Sequence, residues 1–130
     1  MASYYWLEMA RGAKRTAQEL TKKYNSYNEY CNTLYSLIEK IEGTISIMES
    51  TERDYANGGF VANDETLDRG TLKSNCNVLG KDSDVVNSVL RKTINDMLEI
   101  KDKINTANNN YNTYMSNYYY ELELESQAES

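Results

Sequence analysis

The sequence predicts an all-α protein: a long antiparallel two-helix hairpin, its second helix kinked near Gly80, that completes a helical bundle with a partner chain. Two apolar seams of period seven carry that prediction, together with a complete absence of proline from the 130 residues. Seven residues make two turns of a slightly underwound helix, so a seam of this period keeps one stripe facing a neighbouring helix over its whole length. Without proline the strongest helix breaker is gone, and the six glycines are the remaining interruptions.

The first seam runs Trp6, Ala10, Ala13, Ala17, Leu20, Tyr24, Tyr27, Cys31, Leu34, Ile38, Ile41, Ile45 and Met48, in alternating steps of four and three. It predicts a helix over residues 4–51, with Ser3 as its N-cap. At 1.5 Å per residue the seam spans roughly 65 Å, too long a stripe for a helix to bury alone. Gly12, among Ala10, Ala13 and Ala17, reads either as a place where another helix approaches closely or as a weak first turn. Residues 52–65 show no helical stripe and form the connection, longer than the 2 to 8 residues usual between packed helices. Phe60 and Val61 are its apolar residues, expected to cap the end of the hairpin, and Asn63 or Asp64 can cap the next helix.

A second seam runs Leu72, Cys76, Leu79, Ser83, Val86, Leu90, Thr93, Met97, Ile100, Ile104, Ala107, Tyr111, Tyr114 and Tyr118. It predicts a helix over 66–123, broken near 80–83 where Gly80, Lys81 and Asp82 precede Ser83, and a disordered acidic tail over 124–130. Val85, Val89, Ile94 and Leu98 widen the stripe and mark, with Tyr111, Tyr114 and Tyr118, the candidate interface for a partner. If the helices fold back on each other, the acidic end lies near the basic stretch Arg11 to Lys23.

Composition narrows the function classes. Fourteen basic and twenty acidic residues give a net charge of -6, which argues against phosphate-neutralising binding of nucleic acid. No window is apolar enough to span a membrane and no signal-peptide pattern opens the chain, so a cytoplasmic start is expected. Histidine is absent, and Cys31 and Cys76 match no zinc-ligand spacing, so no metal, cofactor or catalytic residue is expected, and the thiols read as small buried hydrophobes. Carboxylates on the outward faces of a two-helix rod lack the concave, dry site that acid-base chemistry needs. The seams alone suit a homodimeric four-helix bundle with no secretion role as well as a heteromeric one.

An aromatic start, Tyr4-Tyr5-Trp6-Leu7, precedes a loop with Gly58 and Gly59 and the stretch Leu67-Asp68-Arg69-Gly70-Thr71-Leu72. This layout resembles the small helical-hairpin proteins of the bacterial type VII (ESX-like) secretion system, and within them the YwqH-like accessory proteins whose genes accompany LXG-domain toxins. The resemblance implies a non-catalytic hairpin that pairs with the N-terminal helical domain of a secreted toxin, alone or with another small helical protein. It implies export with that partner by a route that needs no signal peptide. The Trp-x-Gly turn common in the wider class is absent, and Gly58-Gly59-Phe60 stands in the loop instead. The class also uses an aromatic-x-x-x-acid signal near the C-terminus, which Tyr119 with Glu123 fits. Tyr4/Glu8 and Tyr35/Glu39 share the spacing, and position near the end of the last helix singles out Tyr119/Glu123.

Overall fold

A computed structural model describes residues 2–56 and 69–129, with side chains described for 2–54 and 73–129. Two helices account for all of them: α1, Ala2–Ala56, and α2, Arg69–Glu129. Among the described residues there is no strand, and no helix is long and apolar enough to cross a membrane. The two helices pack against each other along the predicted seams. Every described seam residue is buried or half-buried, and every buried side chain apart from Ser3 is a seam residue.

Contacts divide the chain into two compact units, each built from a piece of both helices. In the first, residues 1–29 and 95–130, the buried positions are small or flexible: Ser3, Ala10, Ala17, Met97, Ile100 and Ala107. In the second, residues 30–94, they are Cys31, Leu34, Ile38, Ser83, Leu90 and Thr93. One polar member, Thr93, is accommodated by its own helix. Thr93 donates from Oγ1 to the carbonyl of Val89 at 2.8 Å, and the Ser83 carbonyl accepts from Asn87 Nδ2 at 3.0 Å.

Several expectations need correction. Helix α1 continues beyond residue 51 to Ala56, and the expected start of α2 at 66 lies outside the described residues. Helix α2 is continuous through 80–83, and Ser83 is a buried seam residue inside it. Gly12 does not mark a close approach, since a Cβ there would meet only Arg15 Nη2 at 3.9 Å. The neighbouring Ala10 and Ala17 occupy the seam instead. The expected loop features at Gly58, Gly59, Phe60, Val61, Asn63, Asp64 and Asp68 lie outside the described residues, as do the side chains of Arg69 and Leu72.

The acidic end is also ordered differently from expectation. The seam does not stop at Tyr118 but continues in the same steps through Glu121 and Glu125, both half-buried, and α2 is helical to Glu129. Ser3 is no N-cap; it sits within the first turn of α1, 5% exposed. Its Oγ donates to Glu125 Oε2 at 2.7 Å and its backbone N–H to Oε1 at 3.2 Å. One carboxylate from the last turns of α2 therefore satisfies a free N–H at the start of α1 and faces the positive end of that helix. The contact also shows that the helices run antiparallel. The acids of the C-terminal end accordingly meet the first turn of α1, and the basic stretch lies further along.

The Ser3 hydroxyl and backbone bonds hold the Glu125 carboxyl below its ordinary value of 4.5. A carboxyl with a lowered folded pKa adds stability above its unfolded pKa, and that stability is lost as pH falls through the folded pKa. Glu125→Gln should thus lower the thermal midpoint at pH 7, with the gap to wild type shrinking below about 4.5 and closing at lower pH. Melting curves followed by circular dichroism check this; a gap that stays constant with pH would remove the ionic part of the contact.

Candidate partner-binding face

A residue one position before a seam residue lies on one flank of its helix, and one position after lies on the other, because each step turns the helix by about 100°. Antiparallel packing brings like flanks of the two helices to the same side. In the second unit, six apolar side chains directly precede seam residues: Tyr30, Leu37 and Ile47 on α1, and Val78, Val85 and Val89 on α2. All are exposed, from 37% at Val89 to 69% at Ile47. They share this flank with Thr33, Lys40, Thr44, Asn75, Asp82 and Lys92, which also directly precede seam residues, so the apolar side chains are interspersed with polar ones. The opposite flank, which follows the seam, carries Glu39, Glu42, Glu49 and Asp84, with Tyr35 its exposed aromatic. The flank that precedes the seam is the more apolar of the two.

The seven side chains expected at an interface are thereby separated. Val85, 63% exposed, and Val89 belong to the aliphatic face. Ile94 and Leu98 follow Thr93 and Met97 and so lie on the opposite flank of α2, Ile94 half-buried and Leu98 exposed. Val89 and Ile94, five residues apart, are roughly 140° apart around the helix. Tyr111, Tyr114 and Tyr118 are half-buried seam residues of the first unit, and the Tyr114 ring stacks on Trp6 with centroids 5.9 Å apart. These rings serve the hairpin's own packing. Tyr119 and Glu123 are both exposed, one turn apart on α2.

Tyr30, Leu37, Ile47 and Val78 are not among the residues expected at an interface, although the spacing of this exposed flank carries a readable signal. Tyr30 and Leu37 are seven apart, as are Val78 and Val85, so each pair repeats at the seam's own period beside it.

The cysteines do not form a chemical site. Cys31 is buried and Cys76 half-buried. Partial burial pushes the Cys76 thiol up, and the neighbouring Glu49 and Glu52 carboxylates push it the same way, which disfavours the reactive thiolate. Cys31 is 18 residues from Glu49 along α1, roughly 27 Å, whereas a disulfide needs Cα atoms within about 7 Å, so the two cannot bridge within one chain. Among the described residues no group of histidine, cysteine and carboxylate side chains could hold a metal ion.

No known protein family, curated protein or solved structure matches this chain.

The face and the seam differ in what they contribute to stability. Leu34→Ala, at a position 7% exposed, should cost at least about 2 kcal/mol, while Ile47→Ser and Val85→Ser should each change stability by no more than about 0.5 kcal/mol. Urea denaturation checks the contrast. A large loss at Ile47 or Val85 would mean that the hairpin itself uses this face.

Proposed function

We propose that this chain is a non-catalytic helical partner protein whose aliphatic face in the second unit receives a helix of another chain and completes a bundle with it. The exposed face formed by Tyr30, Leu37, Ile47, Val78, Val85 and Val89 carries the reading. Six apolar side chains held in water on one side of a hairpin, with acids on the other, make a surface that gains about 1 kcal/mol per side chain when covered. Two parallel rows at heptad spacing suit a helix, which lays its own apolar ridge into the groove between them.

The resemblance to type VII accessory hairpins gives that partner a character: the N-terminal helical domain of an LXG-type toxin, whose export this chain supports. Tyr119 and Glu123 are the candidate export signal. Both side chains are exposed in the single chain.

Co-expression with the helical domain of an LXG-type toxin encoded beside this gene tests the proposal. A one-to-one complex by light scattering is expected, lost when Ile47→Asp and Val85→Asp are combined in a variant that remains helical. Tyr119→Ala with Glu123→Ala should keep the complex and stop toxin export. Absence of any complex, or a complex indifferent to the aspartates, would refute the binding face; unchanged export would remove the signal.

A further inference from the structure

The first unit carries on a single flank both halves of a contact with a second copy of itself. The flank that follows the seam holds Arg11, Lys14, Gln18 and Thr21 on α1 and Lys101 and Asn108 on α2. Between the helices here runs an open groove of about 660 Å³, lined by Lys14, Gln18, Thr21, Lys22 and Asn108, with Ala17 as its floor. Small seam residues bring the groove about. Ala17 and Ala107 fill little space, so the flanking side chains stand proud of them.

This groove is electropositive in an otherwise acidic chain. Arg15 and Lys22 lie on its outer edge with Asp102 the nearest acid of that edge, and the residues across from the lysines on α2 are largely asparagines. Arg11 pairs with Glu8 of its own helix at 2.6 Å, and no acid is among the residues that line the groove.

Further along the same flank the character reverses. Tyr4, Leu7, Met115, Tyr119 and Leu122 form an apolar patch, with Tyr4 60% and Tyr119 61% exposed. Residues 104–129 contain no lysine or arginine, while Glu123 and Glu129 are exposed beside the patch. On α2 the groove residue Asn108 and the end residue Leu122 are each seven residues from Met115, about 10 Å along the helix. A two-fold axis passing near Met115 therefore lays the acidic end of one copy over the basic groove of the other, twice, with Leu7, Met115 and Tyr119 between them.

We infer that the first unit pairs with a second copy of this chain through this flank, an isologous contact in which the Glu123 and Glu129 end of each copy lies on the Lys14 and Lys22 groove of the other. Self-complementarity of charge about a single axis is what a two-fold dimer requires. It also selects this occupant over nucleic acid, which would meet the groove's few lysines but be repelled by the acids on the same flank and by the net charge of -6. Tyr119 and Glu123 lie within this contact, so the dimer and recognition of those two side chains by another protein exclude each other.

Sedimentation velocity on the purified chain over a range of concentrations and salt tests the inference. A dimer that weakens as salt rises is expected. Lys14→Glu with Lys22→Glu, and separately Glu123→Lys with Glu129→Lys, should each weaken self-association by at least about tenfold in Kd. Mixing the two variants one-to-one should restore the dimer, because each carries the charge that the other now needs. Circular dichroism on each variant verifies folding. A monomer at all concentrations, a dimer indifferent to both swaps, or failure of the mixture to recover association would overturn the inference.

Discussion

Burial of the heptad seam is the interaction on which the rest of this protein depends. Neither helix has enough apolar surface on more than a narrow stripe to fold alone, and helical propensity contributes little where asparagine, threonine and tyrosine are frequent. The seam compensates by never breaking step. The polar seam residue Thr93 is kept inside by its own helix, through the Val89 carbonyl, and the buried Ser3 is satisfied from the other helix by Glu125. At that last layer the seam and the helix terminus are secured together, because the carboxylate that fills a seam position also accepts the backbone N–H at the start of α1.

A seam this narrow has a second consequence. Two helices bury one stripe each, so whatever lies one residue before or after the seam is left at the surface. In the second unit those flanks have diverged into an aliphatic side and an acidic side, and in the first unit one flank alternates between basic groove and acidic-aromatic end. The chemistry of this protein is therefore held in its flanks. The central residues Leu34, Ile38 and Leu90 say only that it is a hairpin, while Val85 and Lys14 say what could sit on it.

The helical pairing was legible in the sequence because the seam is strict: each described seam residue, from Trp6 to Tyr118, turns away from solvent. Its two ends were less legible. Glu121 and Glu125 continue the period but are acids, and an acid is normally read as solvent-exposed until a partner such as Ser3 is placed opposite it by the fold. Gly80 suggested a helix end by its type alone, yet a single glycine costs a long helix only about 1 kcal/mol, less than seam burial on either side returns. The binding face was legible in part. Val85 and Val89 stood out beside the seam, but grouping them with Ile94 and Leu98 overlooked that one step across the seam moves a side chain to the other flank. Tyr111, Tyr114 and Tyr118 could be assigned to the hairpin itself only once the antiparallel pairing put Trp6 against Tyr114.

The central claim is that the aliphatic flank of the second unit is the surface a partner helix covers. Hydrogen exchange measured on the chain alone and in complex with the proposed partner helix tests it most directly. The account predicts that amides in residues 37–47 and 78–89 exchange more slowly in the complex while the Glu39 and Asp84 flank keeps its exposure to a carboxylate-modifying reagent. Slowing confined to other segments, or protection of the acidic flank instead, would contradict it.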